Sequence, residues 1–226
     1  MSPRFDVVVP TIGRASLGRL LSALALGEGP APGRVLVVDD RPHVEGPLLH
    51  VCATCAPGAS GALNVTVLRG RAAGPAAARN LGWRASEAEW VAFLDDDVVP
   101  DGDWRARLGE DLASAGPEVG GSQGRIAVPL PARRRATDWE RNVSGLASAR
   151  WATADMAYRR RALAAAGGFD ERFPRAYRED ADLGLRVLRA GYRIEAGRRR
   201  VTHPVRAEGP WVSLRAQRGN ADDALM

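Results

Sequence analysis

Three consecutive carboxylates, Asp95-Asp96-Asp97, end a short apolar run that begins at Trp90. A run of that kind reads as a buried strand of a parallel sheet, and open α/β sheets bind ligands at the carboxyl ends of their strands. In extended chain, residues two apart point to the same side, so Asp95 and Asp97 can converge while Asp96 turns away. Adjacent anions repel unless a cation or donors compensate them, and hard oxygen ligands suit Mg2+ or Mn2+. The same residues also read as an acidic turn leading into the next helix, with Asp101 or Asp103 as its N-cap. Other groups able to do chemistry are Asp39-Asp40 at the end of a second apolar run, Arg79-Asn80 in a small-residue segment, Glu179-Asp180 before a periodic apolar stretch, and a late His203.

The elements that must position these groups alternate. Strands are expected over 5–9, 34–38, 63–68 and 90–94. Helices are expected from Ser16 through Ala25, with Leu17, Leu20, Leu21 and Leu24 on one face, over 44–55, over 76–85 behind Pro75 at a favoured first position, and over 104–115. Strand–helix alternation implies parallel pairing with right-handed crossovers. Pro10-Thr11, Asp39-Asp40, Gly70-Arg71 and Asp95–Asp97 should therefore share one edge of the sheet. Beyond Gly116 the pattern changes. Strands are expected over 120–128, 152–158, 192–195 and 201–205, and helices over 160–166, 180–190 and 211–225, while 137–150 resists assignment.

Length and composition set the frame. The 226 residues suit one α/β domain with a sizeable core; 45% are hydrophobic and 26% charged, as in soluble globular proteins. No apolar stretch approaches the roughly 18 residues of a membrane span and nothing resembles a signal peptide, so a cytoplasmic location is the default. The net charge is +5, carried entirely by arginine, which allows anionic partners from nucleic acid to a nucleoside diphosphate. The runs Arg133–Arg135 and Arg198–Arg200 read as solvated faces. Cys52 and Cys55 form a lone C-x-x-C without the second pair that a structural zinc site needs.

Taken in order, VVVPTIGR, VVDD, RAAGPAAARNLGW, FLDDDVVP, MAYRR, GGFDERF and REDADLGLRVLRAGYRI resemble the family 2 glycosyltransferases of the GT-A fold. The resemblance runs from Val7 to about His203. It implies a single GT-A domain, mostly parallel in its sheet, with a nucleotide-sugar-binding half over 1–100 and an acceptor-binding half over 101–226. It further implies an inverting transfer from a nucleoside-diphosphate sugar, with a UDP- or dTDP-sugar expected, to an acceptor hydroxyl, with Mn2+ or Mg2+ as cofactor and no nucleic acid partner.

Carried over residue by residue, Pro10, Thr11 and Arg14 match the loop lining the base and ribose, and Asp40 the acceptor of a hydrogen bond from the base. Arg79 and Asn80 match a signature near the sugar-diphosphate, where a guanidinium and a helix N-terminus suit phosphate. Asp95 and Asp97 match the metal-binding pair, with His203 as third ligand; Asp96 is expected either toward the ribose or sugar or as a structural residue, and is the fallback ligand. Asp180 matches the catalytic base that takes the acceptor proton, with Glu179, Asp155 and Trp151 on the acceptor side. At Asp155 this chain departs from the family's usual asparagine.

A C-terminal Gln217-Arg218-Gly219-Asn220 is weakly similar to an element of processive relatives, but its tryptophan is missing. Peripheral membrane contact and a homodimer through the C-terminal segment are compatible with the pattern. A nucleotidyltransferase would want a phosphate-binding lysine in the first loop, and this chain has none. A non-catalytic sugar-nucleotide-binding or regulatory protein of the same fold is the alternative, against which stands the retention of both Asp180 and the acidic triplet.

Overall fold

The computed structural model describes residues 3–44, 46–48, 63–173 and 175–206. Its centre is an eight-stranded sheet of order β3-β2-β1-β4-β7-β6-β8-β5. β1 (Phe5–Thr11), β2 (Val35–Asp39), β3 (Val65–Arg69) and β4 (Trp90–Leu94) are mutually parallel, with β1 between β2 and β4. They are joined through α1 (Ser16–Leu26) and α2 (Pro75–Ala85), and α3 (Trp104–Ser114) follows β4 and the two-residue β5 (Val99–Pro100).

β4 is apolar throughout, and β1 is apolar across Val7–Val9, because both faces are covered. Val7, Val9, Leu17, Leu20, Leu21 and Trp104 pack in a cluster on one side, and Val8, Phe93, Tyr158, Phe169 and Leu183 on the other. Val7, Val8 and Val9 are fully buried, each contributing about 1.5–3 kcal/mol of transfer free energy. The edge shared by the four strand ends holds together through the backbone: Asp40 N donates to Thr11 O at 2.8 Å and Gly70 N to Asp39 O at 2.9 Å.

The second half differs from simple alternation. β7 (Asp155–Arg159) runs antiparallel to both β4 and β6 (Val119–Ala127), whereas β6 pairs parallel with β8 (Arg193–Thr202). The unassigned stretch holds α4 (Asp138–Ser144), opened by a capping box between Thr137 and Glu140, and a 3-10 turn, Gly145–Ser148. α5 (Arg160–Ala165) and α6 (Glu179–Arg189) fall where periodicity puts them.

The two late strands expected over 192–195 and 201–205 are one strand, β8, which continues through Arg198–Arg200. Arg199 is correspondingly not solvated but fully buried. The expected helix 44–55, together with His50, Cys52 and Cys55, lies mostly outside the described residues, with 44 and 46–48 non-helical. The expected helix 211–225, Gln217–Asn220 and the C-terminal dimer contact lie wholly outside them. No helix among the described residues is long and apolar enough to cross a membrane.

Candidate active site and metal centre

β4 delivers the acidic triplet to the sheet edge at the β1/β4 junction, where the strand order reverses and open α/β sheets form a ligand crevice. Asp95 and Asp97 come together while Asp96 turns toward Thr11 and Arg14, but through a turn and not the expected extended chain: β4 ends at Leu94 and Val98 N donates to Asp95 O at 3.3 Å. One ligand atom each from Asp95, Asp97 and His203 lie within 4.8 Å of one another. His203 arrives there because β8 pairs antiparallel with β5, Val99 opposite Thr202, so the residue just past the end of β8, its N–H donating to Ala127 O at 2.8 Å, meets Asp97. Its Nε2 is 3.4 Å from Asp97 Oδ1, and its buried Nδ1 has no hydrogen-bond partner. Two carboxylates and an imidazole suit a divalent cation such as Mn2+, and ligands opposed across such an ion at about 2.1 Å stand about 4.2 Å apart, so these residues fit one with small side-chain shifts.

Three guanidinium groups offset the negative charge of the triplet. Arg79 Nη2 donates to Asp95 at 2.8 Å, Arg206 Nε lies 3.4 Å from Asp97, and Arg14 Nη1 donates to Asp96 at 2.6 Å. Asp96 also accepts from Thr11 Oγ1 at 2.5 Å and is 1% exposed. Its burial pushes the carboxyl above its usual range, opposed by those two hydrogen bonds. Asp96 is thus a pin between β4 and the β1 loop instead of a group open to a ribose, and Thr11 and Arg14 are engaged in holding it. Pro10 stands half-buried at the end of β1.

Asp39 and Asp40 divide as their surroundings require. Asp39 forms a two-point pair with Arg41, Nε at 2.9 Å and Nη2 at 2.7 Å, which holds it below the ordinary carboxylate range. Asp40 accepts from Gly74 N through Oδ2 at 2.9 Å, and its buried Oδ1 has no partner. A Cβ at Gly70 would stand 2.4 Å from that oxygen, so glycine is what leaves it room. A buried acceptor without a donor is costly; it fits a ligand N–H.

Arg79 and Asn80 sit differently from expectation. Arg79 is 2% exposed and bridges Asp95 to Glu179, its Nη1 donating to Glu179 Oε1 at 2.7 Å. It is a buried link between the triplet and α6 and is not turned out to a diphosphate. Asn80 donates to Phe169 O and Glu171 and accepts from Phe169 N and Trp83 Nε1. Its polar atoms are taken up by the 169–171 loop and by Trp83 of its own helix.

α6 begins at Arg178, whose φ of 72° is left-handed, a conformation that costs a non-glycine residue about 1–3 kcal/mol. That turn aims Glu179 and Asp180 inward. Burial pushes Glu179 up to about 7 against the pull of Arg79, so Glu179 is a buried partner of Arg79 and does not line an acceptor surface. Asp180 is half-buried and raised chiefly by burial, with Ala181 N donating to it at 2.7 Å.

Asp155 is also displaced from its expected acceptor-side role. It is fully buried, accepting from Arg199 Nε at 2.7 Å and Trp104 Nε1 at 3.0 Å, and burial raises its pKa against those contacts. Trp151 is partly exposed and lies against α6: a Cβ on Gly184 would be 2.4 Å from its ring. Sequence reasoning missed Arg199 and Arg206. An arginine triplet looks like surface until the strand alternation that buries every second residue is known.

A GT-A-type glycosyltransferase fold carries this site. The glycosyl transferase family 2 model matches residues 6–182, and the chain belongs to that family. A search of curated proteins gives no match. Among solved structures, the mannosyltransferase PcManGT from Pyrobaculum calidifontis, in complex with GDP-Man and Mn2+, superposes with TM-score 0.65 at 21% identity, covering 100% of this chain and 65% of that one. S. aureus TarS 1-349 in complex with UDP-GlcNAc gives TM-score 0.65 at 20% identity, covering 93% and 60%. Its UDP complex gives 0.62 at 19%, covering 98% and 65%. The chain thus spans less than two thirds of each of these structures, and only 37% of a longer TarS chain.

Proposed function

We propose that the protein is a metal-dependent, inverting glycosyltransferase that moves a sugar from a nucleoside-diphosphate sugar to an acceptor hydroxyl. The observation that carries this reading is the meeting of Asp95, Asp97 and His203 within 4.8 Å at the β1/β4 crevice, joined through buried Arg79 and Glu179 to Asp180. Complexes of the structural neighbours with UDP, UDP-GlcNAc, and GDP-Man with Mn2+ support the donor class.

Asp95, Asp97 and His203 would hold Mn2+ or Mg2+, which when bound neutralises the departing diphosphate. Asp40 Oδ1 accepts an N–H of the base. Arg206 and Arg14 set a positive border to the diphosphate region. Arg79 fixes Asp95 and, through Glu179, the start of α6. Asp180 takes the proton of the acceptor hydroxyl as that oxygen attacks the anomeric carbon from the face opposite the leaving group. In this reading residues 1–100 serve the donor and 101–226 the acceptor, except that His203 and Arg206 return to the donor side.

The test is turnover of UDP-, dTDP- and GDP-sugars with Mn2+, reading nucleoside diphosphate release and, by NMR, the anomeric configuration of the product. Asp180→Asn is expected to keep donor and Mn2+ binding and to lose about 100- to 10,000-fold in rate. Unchanged turnover in that variant removes Asp180 as the base. Donor binding without turnover on any acceptor would instead favour a non-catalytic sugar-nucleotide-binding protein.

A further inference from the structure

A cleft of about 640 Å3 opens between β6, the Gly145–Ser148 turn, the C-terminal end of α6 and the start of β8. None of Asp40, Asp95, Asp97, Asp180 and His203 lines it. Its walls include Leu146, Trp151, Leu188 and Ile194, and Leu188 is 40% exposed there. Its lining includes Arg125 and Arg150, both exposed, and neither guanidinium has an ion-pair or hydrogen-bond partner among the described residues. Glu195, also on the lining, lies 3.5 Å from Arg193. The cleft therefore combines apolar walls with two uncompensated guanidinium groups.

Its position relative to Asp180 follows from the helix. Asp180, Gly184 and Leu188 are spaced i, i+4, i+8 and share one face of α6. Leu188 is in the cleft wall, and the Trp151 ring rests on Gly184, about one helical turn, or 5–6 Å along the axis, from Asp180. Trp151 is held there with a left-handed φ of 62°, its backbone N–H donating to Gln123 Oε1 at 2.7 Å. A non-glycine residue fixed in that conformation marks a position the surroundings over-determine.

We propose that this cleft binds the acceptor, and that the acceptor is a small amphiphile with an apolar or ring-bearing body and one anionic group, carboxylate or phosphate. The inference rests on Asp180 as the base. The volume lies in the range of about 300–1,000 Å3 typical of small-molecule sites. An apolar body covers Leu146, Leu188 and Ile194 and stacks on Trp151, while its anion takes the fork-shaped donors of Arg125 and Arg150. The hydroxyl to be glycosylated then projects past Trp151 toward Asp180.

Calorimetry on the full chain tests this with n-octyl phosphate below its micelle concentration, n-octanol and inorganic phosphate, and with UDP plus Mn2+ as a separate arm. Octyl phosphate is expected to bind at least about tenfold tighter than either fragment. The exposed pair Arg125→Gln/Arg150→Gln is expected to weaken it by about tenfold or more, and Leu188→Glu likewise. Octyl phosphate affinity no better than that of octanol, or unchanged in both variants, overturns the proposal. On the parent chain the UDP arm separates the two readings: no octyl phosphate binding while UDP–Mn2+ binds rejects the cleft assignment alone, whereas octyl phosphate binding without UDP–Mn2+ binding rejects the donor reading.

Discussion

Glu179 and Asp180 are neighbours in sequence with different tasks set by their surroundings. Glu179 is buried against Arg79 and pushed up to about 7, well above its value in an unfolded chain. Its contribution to stability is therefore full below about pH 4.5 and lost as pH rises through about 7. Glu179→Gln should flatten the decline in stability between pH 5 and 7, by up to about 1.4 kcal/mol per pH unit. Urea unfolding across that range reads it; an unaltered slope means that Glu179 is ionised throughout. Asp180 is raised in the same direction, so the ascending limb of the transfer rate is expected above the ordinary carboxylate range, and a limb near pH 4 contradicts it. The convergence of Asp95 and Asp97 was legible in the sequence, because paired carboxylates at the end of a buried strand invite it, whereas the role proposed for Asp180 came from the family resemblance. The occupations of Arg79, Asn80, Asp96 and Asp155 were not, because each depends on a partner 16 to 91 residues away.

At the scale of elements, β8 explains how a residue more than 100 positions from the triplet joins it. Arg199 lies four residues before His203 and is tied to Asp155 on β7, to Ser122 on β6 and to Asp111 on α3. Asp155 in turn sits opposite Leu94, the residue before the triplet. This ion pair thus ties β8, which leads to His203, to β7, the strand paired with the one that leads to the triplet. Arg199→Met should cost about 3–5 kcal/mol because it leaves Asp155 charged and unpaired, whereas Asp155→Leu/Arg199→Met should recover most of that loss. Chemical denaturation compares the two; a double variant as unstable as the single one argues against the pair. From sequence, the strands β1, β2 and β4 and the helices α1, α2 and α6 were readable by period and by flanking Pro, Gly and carboxylates. The continuity of β8 was not, since Ala196-Gly197-Arg198-Arg199-Arg200 has no apolar alternation; its inward arginine is neutralised by a carboxylate that only the fold supplies.

For the whole molecule, strand–helix alternation gave the parallel pairing of the first four strands and with it a shared edge for their carboxyl ends; the order around β1 came from the structure. The antiparallel entry of β7 was not legible, because a strand buried on both faces reads the same in either direction. That reversal lets β6 and β8 close around the crevice and bring His203 to the acidic pair. The assembled site makes the fold a reporter of its ligand: Mn2+ with a saturating nucleoside diphosphate should raise the melting temperature, as about 2.7 kcal/mol of stabilisation follows at 100 times Kd. Comparing UDP, dTDP and GDP ranks the base that Asp40 accepts. Equal shifts with and without Mn2+ place the nucleotide elsewhere. The most direct measurement of the central claim is calorimetry of a nucleoside diphosphate with Mn2+ on the parent chain and on Asp97→Ala. Nucleotide affinity should depend on Mn2+ in the parent and lose that dependence in the variant, while the ligand-free variant melts close to the parent because the repulsion within the triplet is relieved. Mn2+-dependent binding that survives in a variant whose melting temperature has collapsed would contradict the account and make Asp97 a structural residue.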